Sequence, residues 1–267
     1  MKPHINEMIY TDYIGFINQW NVPPGGYMTL NKWRVYSMLN SKSNILEFAC
    51  TTGFSVRELC KMAQCKGLGI DISKASIQAA RHNAKQYAKS VNLKYVATNA
   101  LEFSTKDRFS HVVIGAALRF FPNPTQTIQK CISLMQNDGF LLSAEFFVEK
   151  SIPDKVLAKA QKVFGITPTN VGYKEVMSVY KGLELMYEDF QNIIPETEDE
   201  LAHYVDSTVE RIVNDKNIKD DSLIKKLKNR LNEIKQVANE LRPYQRYVIL
   251  VHRYRKTIYP HRYVELF

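Results

Sequence analysis

Short apolar runs alternate with helix-like segments in the first part of the chain. Runs typical of strands begin at Ile45 and Gly67, and three more lie at Leu93–Ala97, Phe109–Gly115 and Phe140–Phe146. Parallel strands must be joined by a crossover, usually a helix, that returns the chain to the same edge of the sheet. The alternation therefore predicts an α/β fold built on parallel strands.

Beyond residue 150 helical patterns become more frequent, and two strand-like runs lie among them. The predicted elements are, in order, helix Pro153–Phe164, helix Tyr173–Tyr180, strand Leu183–Tyr187, two helices between about 196 and 241, and strand Tyr247–His252. In the last of these helices, apolar residues recur at steps of three and four, which is typical of an amphipathic helix. Its lysines are therefore predicted to form the solvent-exposed side.

The segment 45–73 has the order of a nucleoside-binding site. An apolar strand opens into a tight turn that ends at Gly53, a helix follows, and a second strand ends at Asp71. The turn lets a ligand approach the backbone, the helix N-terminus offers free N–H groups, and a carboxylate after the second strand can accept both ribose hydroxyls. A dinucleotide fingerprint fits poorly, because it needs glycine at positions 49, 51 and 54.

The turn resembles motif I of the class I S-adenosylmethionine-dependent methyltransferases, in which an acid precedes three glycines at alternate positions. Glu47 stands at the acid and Gly53 at the last glycine, whereas Ala49 and Thr51 replace the other two. Thr51 is the larger departure, because a β-branched residue tolerates positive φ badly. Either the turn stays at negative φ, or the cofactor sits slightly differently.

Later segments continue this resemblance in the same order. Asn99 follows the third strand, where the family places an acid or amide against the adenine amino group, and Gly115 and Ala116 follow the fourth. The resemblance implies a Rossmann-like, mostly parallel seven-stranded sheet with helices on both faces, whose last two strands form an antiparallel hairpin. It also implies cofactor contacts from the two strand ends and the turn: Glu47, Ala49, Cys50, Thr51, Gly53, Asp71, Ile72, Asn99, Ala100, Gly115 and Ala116.

The N-terminal segment is similar to the cover of small-molecule methyltransferases of the phosphoethanolamine and cyclopropane-synthase-like branch. On this resemblance Tyr10, Tyr13, Gly25 and Gly26 contact the cofactor. The alternative is an amphipathic helix packed on the core. We expect one domain over 1–267, divided into an N-terminal lid (1–30), a cofactor-binding core (31–150), helical cap insertions (151–182 and 195–243), and a last strand with its tail (244–267).

Candidates for chemistry on the acceptor follow the fourth and fifth strands, because ligands bind beyond the carboxyl ends of parallel strands. Arg119 can bind an anionic group or be a surface residue. Glu145 can accept a proton, anchor an amine, or be an exposed or salt-bridged acid, and Tyr13 is a third candidate. Aromatic residues at Phe146, Phe147, Tyr173 and Tyr180 indicate a partly apolar acceptor pocket or ordinary core packing. His111 lies at the entry end of its strand and is predicted to be structural.

Composition narrows the class of protein. The net charge of +9 could mark a nucleic-acid surface, but it is concentrated on one helix face and in the tail: Lys225, Lys226, Lys228 and Arg230, then Arg242, Arg246, Arg253, Arg255, Lys256 and Arg262. The four cysteines and the histidines show no metal-ligand spacing. No apolar run is long enough to span a membrane, and no signal peptide is evident, so we expect a cytoplasmic protein.

These observations favour a small-molecule methyltransferase that uses S-adenosylmethionine, releases S-adenosylhomocysteine and acts on an acceptor with an anionic group. A homodimer through the helical insertion is one arrangement this permits. The alternatives are an RNA methyltransferase that uses the basic surface, and a non-catalytic cofactor-binding or scaffold protein, which the loss of glycine at Thr51 keeps open. Against the RNA alternative, the fourth strand is not followed by the Asn/Asp-Pro-Pro-Tyr run that serves methylation of flipped bases.

Overall fold

The computed structural model describes residues 4–256. Helices alternate with strands up to residue 148, and the later part is richer in helix. The elements are α1 (Tyr10–Phe16), α2 (Tyr27–Tyr36), β1 (Asn44–Phe48), α3 (Phe54–Ala63), β2 (Lys66–Asp71), α4 (Lys74–Tyr87), β3 (Leu93–Ala97), β4 (Phe109–Gly115), α5 (Pro124–Leu134), β5 (Met135–Val148), α6 (Asp154–Phe164), α7 (Tyr173–Met177), β6 (Glu184–Asn192), α8 (Glu198–Lys216), α9 (Asp221–Leu241) and β7 (Gln245–Arg253).

The strands form a seven-stranded sheet in the order β3-β2-β1-β4-β5-β7-β6. The first five pair in parallel, and β7 is antiparallel to both β5 and β6. The predicted Rossmann-like α/β sheet with a terminal antiparallel hairpin is confirmed. The order reverses between β1 and β4, and ligands of such sheets bind beyond the strand ends at this point.

Two apolar layers cover the faces of the sheet. One contains the side chains of α2 and α3 against alternate residues of β1, β4, β5 and β7, with Trp33 fully buried. The other contains α5 and the segment around Tyr180 against the remaining residues of the same strands. Because side chains of a strand alternate between faces, Phe146 belongs to the first layer and Phe147 to the second.

Helix α1 packs against the two long helices between β6 and β7, which belong to the predicted cap insertion 195–243. Ile14, Ile17, Val209 and Leu231 are fully buried in an apolar cluster of α1, α8 and α9. Helix α8 begins with a capping box, in which Thr197 and Glu200 satisfy each other's backbone N–H groups. The helices therefore lie within the predicted insertion 195–243, while the division of the chain into lid, core and cap stays a prediction.

A turn-like sequence lies inside a strand. Residues Asn137-Asp138-Gly139 have the composition of a turn but form a bulge within β5, where Asp138 has φ 62° and the register with β4 shifts. Strand β5 therefore begins at Met135, before the predicted start at Phe140. A bulge adds residues to one strand without ending its pairing, so a turn signal here does not mark a strand boundary.

The basic residues of the last helix and the tail are mostly engaged within the protein. Four tail arginines form ion pairs: Arg242 with Glu196, Arg246 with Glu149, Arg253 with Asp138, and Arg255 with Asp138 and Glu184. On α9, Lys228 pairs with Asp206, and Arg230 donates hydrogen bonds to the carbonyls of Ile5 and Met8. These partners favour a structural role for the charge over a nucleic-acid surface. Arg262 lies outside the described residues.

Candidate active site

The turn after β1 keeps the backbone conformation of a glycine-rich loop. Ala49, Thr51 and Gly53 have φ values of 49°, 45° and 75°, so the expected alternative of negative φ is wrong. The Gly53 N–H donates to the Cys50 carbonyl at 2.7 Å, which closes the turn. A Cβ atom at Gly53 would lie 2.6 Å from the ring of Tyr95. Gly53 is therefore required by packing as well as by its φ.

Asp71 connects the turn to the end of β2. Its Oδ2 accepts a hydrogen bond from the Thr51 N–H at 2.9 Å, and its Oδ1 accepts one from the Ser73 N–H at 2.8 Å. Burial raises the pKa of Asp71, and the hydrogen bonds from Ser73 and Thr51 oppose this shift. A carboxylate has about four acceptor positions. Asp71 therefore keeps acceptor capacity for a ribose hydroxyl beyond its backbone hydrogen bonds, and this fits the expected sugar.

Glu47 lies beneath the turn and holds helix α3. Its Oε2 accepts a hydrogen bond from the Val56 N–H at 3.0 Å, in the first turn of that helix. Burial raises the pKa of Glu47 to about 7, against hydrogen bonds from Val56 and Ser55 that lower it. Negative charge at a helix N-terminus is favourable. The contacts of Glu47 are thus with the protein, and its influence on a cofactor passes through the placement of α3.

The N-terminal segment lies directly on the turn and on α4. Gly15 of α1 approaches α4 so closely that a Cβ atom would lie 2.3 Å from the Ser76 backbone nitrogen. Ser73 Oγ donates to Asp12 Oδ1 at 2.5 Å, and Thr52 Oγ1 donates to the Gln19 carbonyl at 2.8 Å. Segment 4–26 therefore contacts both sides of the proposed sugar site. Asp12 could not be identified as a site residue from the sequence, where its only signal is an acid in the first turn of α1.

Trp20 ties this segment to the core and to the cap. Two guanidinium groups contact its indole ring: that of Arg57 from α3 lies 5.1 Å from the ring centroid, and that of Arg211 from α8 lies 5.7 Å from it. Arg57 is 1% exposed and its Nε donates to Glu58 Oε1 at 2.8 Å. Cation–π contacts are stronger when the cation is removed from water, so Trp20 fixes the position of the N-terminal segment.

The two lid tyrosines lie in packing positions. Tyr13 is fully buried, and its hydroxyl donates to the Leu227 carbonyl of α9 at 2.7 Å. A hydroxyl used in this way cannot act on an acceptor, so the catalytic role expected for Tyr13 is not supported by its placement. Tyr10 stacks on Phe120 with ring centroids 6.2 Å apart, and burial raises its pKa to about 12. Contact of either residue with a cofactor stays a prediction.

The Gly-Gly pair makes its close approach to the protein itself. Gly25 and Gly26 have φ values of 78° and 57°. A Cβ atom at Gly25 would lie 2.6 Å from both Thr29 Oγ1 and Tyr247 Oη. Positive φ and close approach both favour glycine, but the neighbours seen here are side chains of α2 and β7. A contact of this turn with the methionyl end of a cofactor remains a prediction.

The other expected cofactor residues line the same edge of the sheet. Ile72 is 68% exposed beside Asp71. Asn99 Oδ1 accepts from the Leu101 N–H at 3.0 Å, and its Nδ2 donates to Glu102 Oε1 at 3.0 Å. Gly115 has φ 58°, and a Cβ atom there would meet open space. Cys50 and Ala100 are buried, and Ala116 is half-buried.

Glu145 stands above the end of β4. It lies on β5 two residues beyond Ser143, which pairs with Gly115 at the last position of β4. Glu145 is 3% exposed, and its Oε1 accepts a hydrogen bond from the Tyr180 hydroxyl at 2.7 Å. Burial raises the pKa of Glu145 to about 7, while the hydrogen bond from Tyr180 and the positive charge of Arg119 act in the opposite direction. The alternative of an exposed acid is wrong.

Tyr180 joins Glu145 to two further residues of the sheet. Its hydroxyl also lies 3.0 Å from Ser143 Oγ, and its ring stacks on His252 with centroids 4.4 Å apart. The sequence identified Tyr180 only as one of several aromatic residues, because its contact with Glu145 joins positions 35 residues apart. Tyr173 and Phe147 pack on each other at 5.9 Å, which supports their role in the core.

His111 is a structural histidine, as predicted. It is 3% exposed, and its Nε2 lies 3.0 Å from the Ser37 carbonyl. Burial lowers its pKa to about 4. Residues 4–256 contain no group of three or more His, Cys, Asp or Glu side chains that could hold a metal ion. Within the same range, none of the helices has the length and apolarity needed to cross a membrane.

Comparisons with known proteins support this reading of the fold. The MccD protein has a crystal structure with a TM-score of 0.71 and 24% identity, covering 88% of this chain and 100% of its own. A SAM-dependent methyltransferase from Geobacter sulfurreducens, solved with S-adenosyl-L-homocysteine, has a TM-score of 0.67 and 15% identity. The match covers 91% of this chain and 98% of that protein. The phosphoethanolamine N-methyltransferase 2 of Haemonchus contortus has a TM-score of 0.63 and 11% identity. The match covers 92% of this chain and 57% of that protein.

The sequence itself gives the family. No curated protein matches the chain, but the profile of a methyltransferase domain matches residues 39–232. This match spans more than half of the chain, including the turn at 49–53, Asp71, helix α8 and helix α9 as far as residue 232. The chain therefore belongs to the methyltransferase-domain family and is an S-adenosylmethionine-dependent methyltransferase of the class I fold.

Proposed function

We propose that this enzyme transfers the methyl group of S-adenosylmethionine to a small molecule held beyond the ends of β1, β4 and β5. Asp71 would hold the ribose, the turn 49–53 would pass along the methionyl part, and Asn99 would meet the adenine. The cofactor, when bound, supplies a methyl group on a cationic sulfur, and S-adenosylhomocysteine is the product. The task of the chain is then to align the acceptor atom with that methyl group.

The observation that carries the acceptor side is the buried carboxyl of Glu145. A general base works best when its pKa lies near the working pH, and burial raises the pKa of Glu145 to about 7. Its position above Gly115 supports a role next to the acceptor, because Gly115 ends the strand beside β1. We infer that Glu145 takes a proton from the attacking atom, and that Tyr180 positions it through their hydrogen bond of 2.7 Å.

The charge of Arg119 supports an acceptor that also carries an anionic group. Arg119 is half-buried after β4, and its charge lowers the pKa of Glu145. A guanidinium group binds a carboxylate or phosphate through two parallel hydrogen bonds. The pair of Glu145 and Arg119 thus fits a small molecule with a proton-bearing nucleophile at one end and an anion at the other.

The N-terminal segment is proposed as the cover of this site. Asp12, Gly15 and Gln19 contact the elements around Asp71. A cover that excludes water protects a reactive sulfonium and strengthens electrostatic interactions within the site. Substrate entry then requires the segment to move, which makes lid opening a candidate for the slow step.

The two alternatives have less support. An RNA methyltransferase would need a free basic face, whereas the arginines at 242, 246, 253 and 255 are ion-paired. A non-catalytic scaffold would be favoured if Thr51 had abolished the turn, but its φ of 45° keeps the loop in the glycine-like conformation. A homodimer stays a prediction.

The decisive experiment uses methyl-labelled S-adenosylmethionine. The purified enzyme is incubated with the labelled cofactor and a cell extract separated by size, and label is followed into metabolites, RNA and protein. We expect label in the small-molecule fraction, and its loss in Glu145→Gln and Asp71→Ala. Label only in polynucleotide, with binding that weakens steeply with salt, would replace the proposed substrate class. Failure of the folded protein to bind S-adenosylhomocysteine in calorimetry would favour the scaffold alternative.

A further inference from the structure

Two cysteines form a close pair at the opposite end of the sheet from Asp71. Cys60 lies in the last turn of α3 and Cys65 immediately precedes β2. Their Sγ atoms are 3.6 Å apart. Gln64 between them has φ 54°, and the Cys65 N–H donates to the Cys60 carbonyl at 3.1 Å. This hydrogen bond at the end of the helix fixes the short loop that brings the two thiols together.

A cavity of about 270 Å³ opens beside this pair. It lies at the amino ends of β1 and β2, and its wall is formed by Ser41, Lys42, Ser43, Gln64, Cys65, Lys66, Ser90, Val91 and Asn92. Cys65 lines the cavity and is 5% exposed, whereas Cys60 is fully buried against β2. The charged residues of the wall, Lys42 and Lys66, are both cationic and exposed. The positive charge of these lysines thus favours a small anionic ligand in the cavity.

We propose that Cys60 and Cys65 are a thiol–disulfide site that a small anionic disulfide, such as oxidised glutathione, oxidises through this cavity. The inference does not depend on the methyl-transfer chemistry, because the site lies at the other end of the strands. It concerns the two thiols alone, and Cys50 and Cys131 take no part.

The reaction balances in two exchange steps. The Cys65 thiolate attacks one sulfur of the small disulfide, which forms a mixed disulfide and releases one small thiolate. Cys60 gives its proton to solvent, and its sulfur then attacks Cys65 Sγ, which releases the second small thiolate. In total, two protein S–H bonds and one small disulfide become one protein disulfide and two small thiols. No other oxidant is needed.

The geometry assigns the order of attack. Cys65 lines the cavity and Cys60 does not, and the neighbouring Cys60 thiol lowers the pKa of Cys65 by hydrogen bonding to it. A thiol with a lowered pKa has more of the nucleophilic thiolate at neutral pH. A disulfide bond is about 2.05 Å long, so the two sulfur atoms must approach by about 1.5 Å from their separation of 3.6 Å. Rotation about the Cα–Cβ bonds of the two cysteine side chains can supply this movement.

The test is mass spectrometry of the folded enzyme after incubation with oxidised glutathione. We expect wild-type protein to lose two hydrogen atoms in the peptides that contain Cys60 and Cys65, without a retained adduct. Cys60→Ser should instead keep one glutathione on Cys65, because the resolving thiol is absent. Cys65→Ser should react no faster than the buried Cys131. Cys131→Ser is the matched control and should behave as wild type.

Charge reversal tests the cavity as the entry route. Lys42→Glu with Lys66→Glu should slow oxidation by glutathione roughly tenfold at low ionic strength, and should slow a neutral hydroxyethyl disulfide much less. Lys94→Glu, an exposed lysine on β3, is the control. An aryl arsenical that bridges two thiols should bind wild type and neither cysteine variant. The proposal is overturned if the native wild-type pair stays reduced in excess oxidised glutathione, or if Cys131 is oxidised equally.

Discussion

Replacing Glu145 with glutamine should stabilise the fold at alkaline pH while removing activity. Burial raises the pKa of Glu145 from its ordinary value of 4.5 to about 7. The folded protein therefore holds this proton more tightly than the unfolded chain. The resulting stabilisation is fully present below pH 4.5 and is lost as the pH rises towards 7. Glutamine is uncharged at every pH and avoids this loss.

The expected size follows from the two pKa values. A shift of about 2.5 pH units corresponds to about 3 kcal/mol of unfolding free energy once the pH exceeds 8. At pH 5, where the folded carboxyl is still protonated, the same calculation gives less than about 1 kcal/mol. The difference between variant and wild type should therefore grow by about 2.5 kcal/mol from pH 5 to pH 8. The pKa of Glu47 is also raised to about 7, but Glu47 is present in both proteins, so its contribution cancels in the difference.

Urea unfolding at several pH values, followed by circular dichroism, measures this difference. Glu175→Gln serves as the control, because Glu175 is an exposed carboxyl on α7 close to Tyr180. Methyl transfer by Glu145→Gln should fall about 100-fold or more if the carboxyl is a general base. A gain in stability together with a loss of activity is typical of a residue kept for function.

A constant difference between Glu145→Gln and wild type over pH 5–8 would refute this reasoning. It would mean that the carboxyl ionises in the fold as easily as in water, and that Glu145 has no special proton affinity near neutral pH. A variant as active as wild type would remove Glu145 from the acceptor chemistry, whatever its stability.

Three further predictions concern Asp71, the turn at Thr51 and the N-terminal segment that packs beside them. Asp71→Ala should weaken S-adenosylhomocysteine binding by about 100-fold in calorimetry, since hydrogen bonds to a charged group are lost. The control, Asp107→Ala in an exposed loop, should bind normally. If Asp71→Ala bound as tightly as wild type, the sugar would have to lie elsewhere. Gly15→Ala should destabilise the fold by about 1–3 kcal/mol, because its Cβ would lie 2.3 Å from a backbone nitrogen of α4; an unchanged melting temperature would contradict this close approach. Thr51→Gly should retain cofactor binding and raise stability by up to about 1 kcal/mol, because φ at this position is 45°; a destabilised variant would indicate that the turn is not strained.

The positions of the first strands along the chain, and the edge of the sheet that carries the site, could be predicted from local patterns. Strand ends at Asp71, Ala97 and Gly115 were placed correctly because each combines an apolar run with a polar or flexible stop. The bulge at Asn137–Gly139 could not be recognised in this way, because a turn and a bulge use the same residue types. Only pairing with β4 distinguishes the two.

Side-chain partners distant in sequence could not be predicted. Tyr13 looked like a lid residue, yet its hydroxyl bonds to Leu227, which is 214 positions away. The turn at Thr51 shows the same limit, because its positive φ is held in part by the hydrogen bond from its N–H to Asp71. A propensity describes one residue and its neighbours, whereas these contacts exist only when separate elements meet.

The sequence by itself determined the class of fold, the family and the edge of the sheet where a nucleoside would bind, because these follow from periodicity and from a motif read along one segment. Tertiary structure alone decided the proton affinity of Glu145 and the close approach of Cys60 to Cys65. Proton affinity depends on burial and on neighbouring charge, and thiol reactivity depends on a distance between atoms. The fold creates both quantities when it brings the elements into contact.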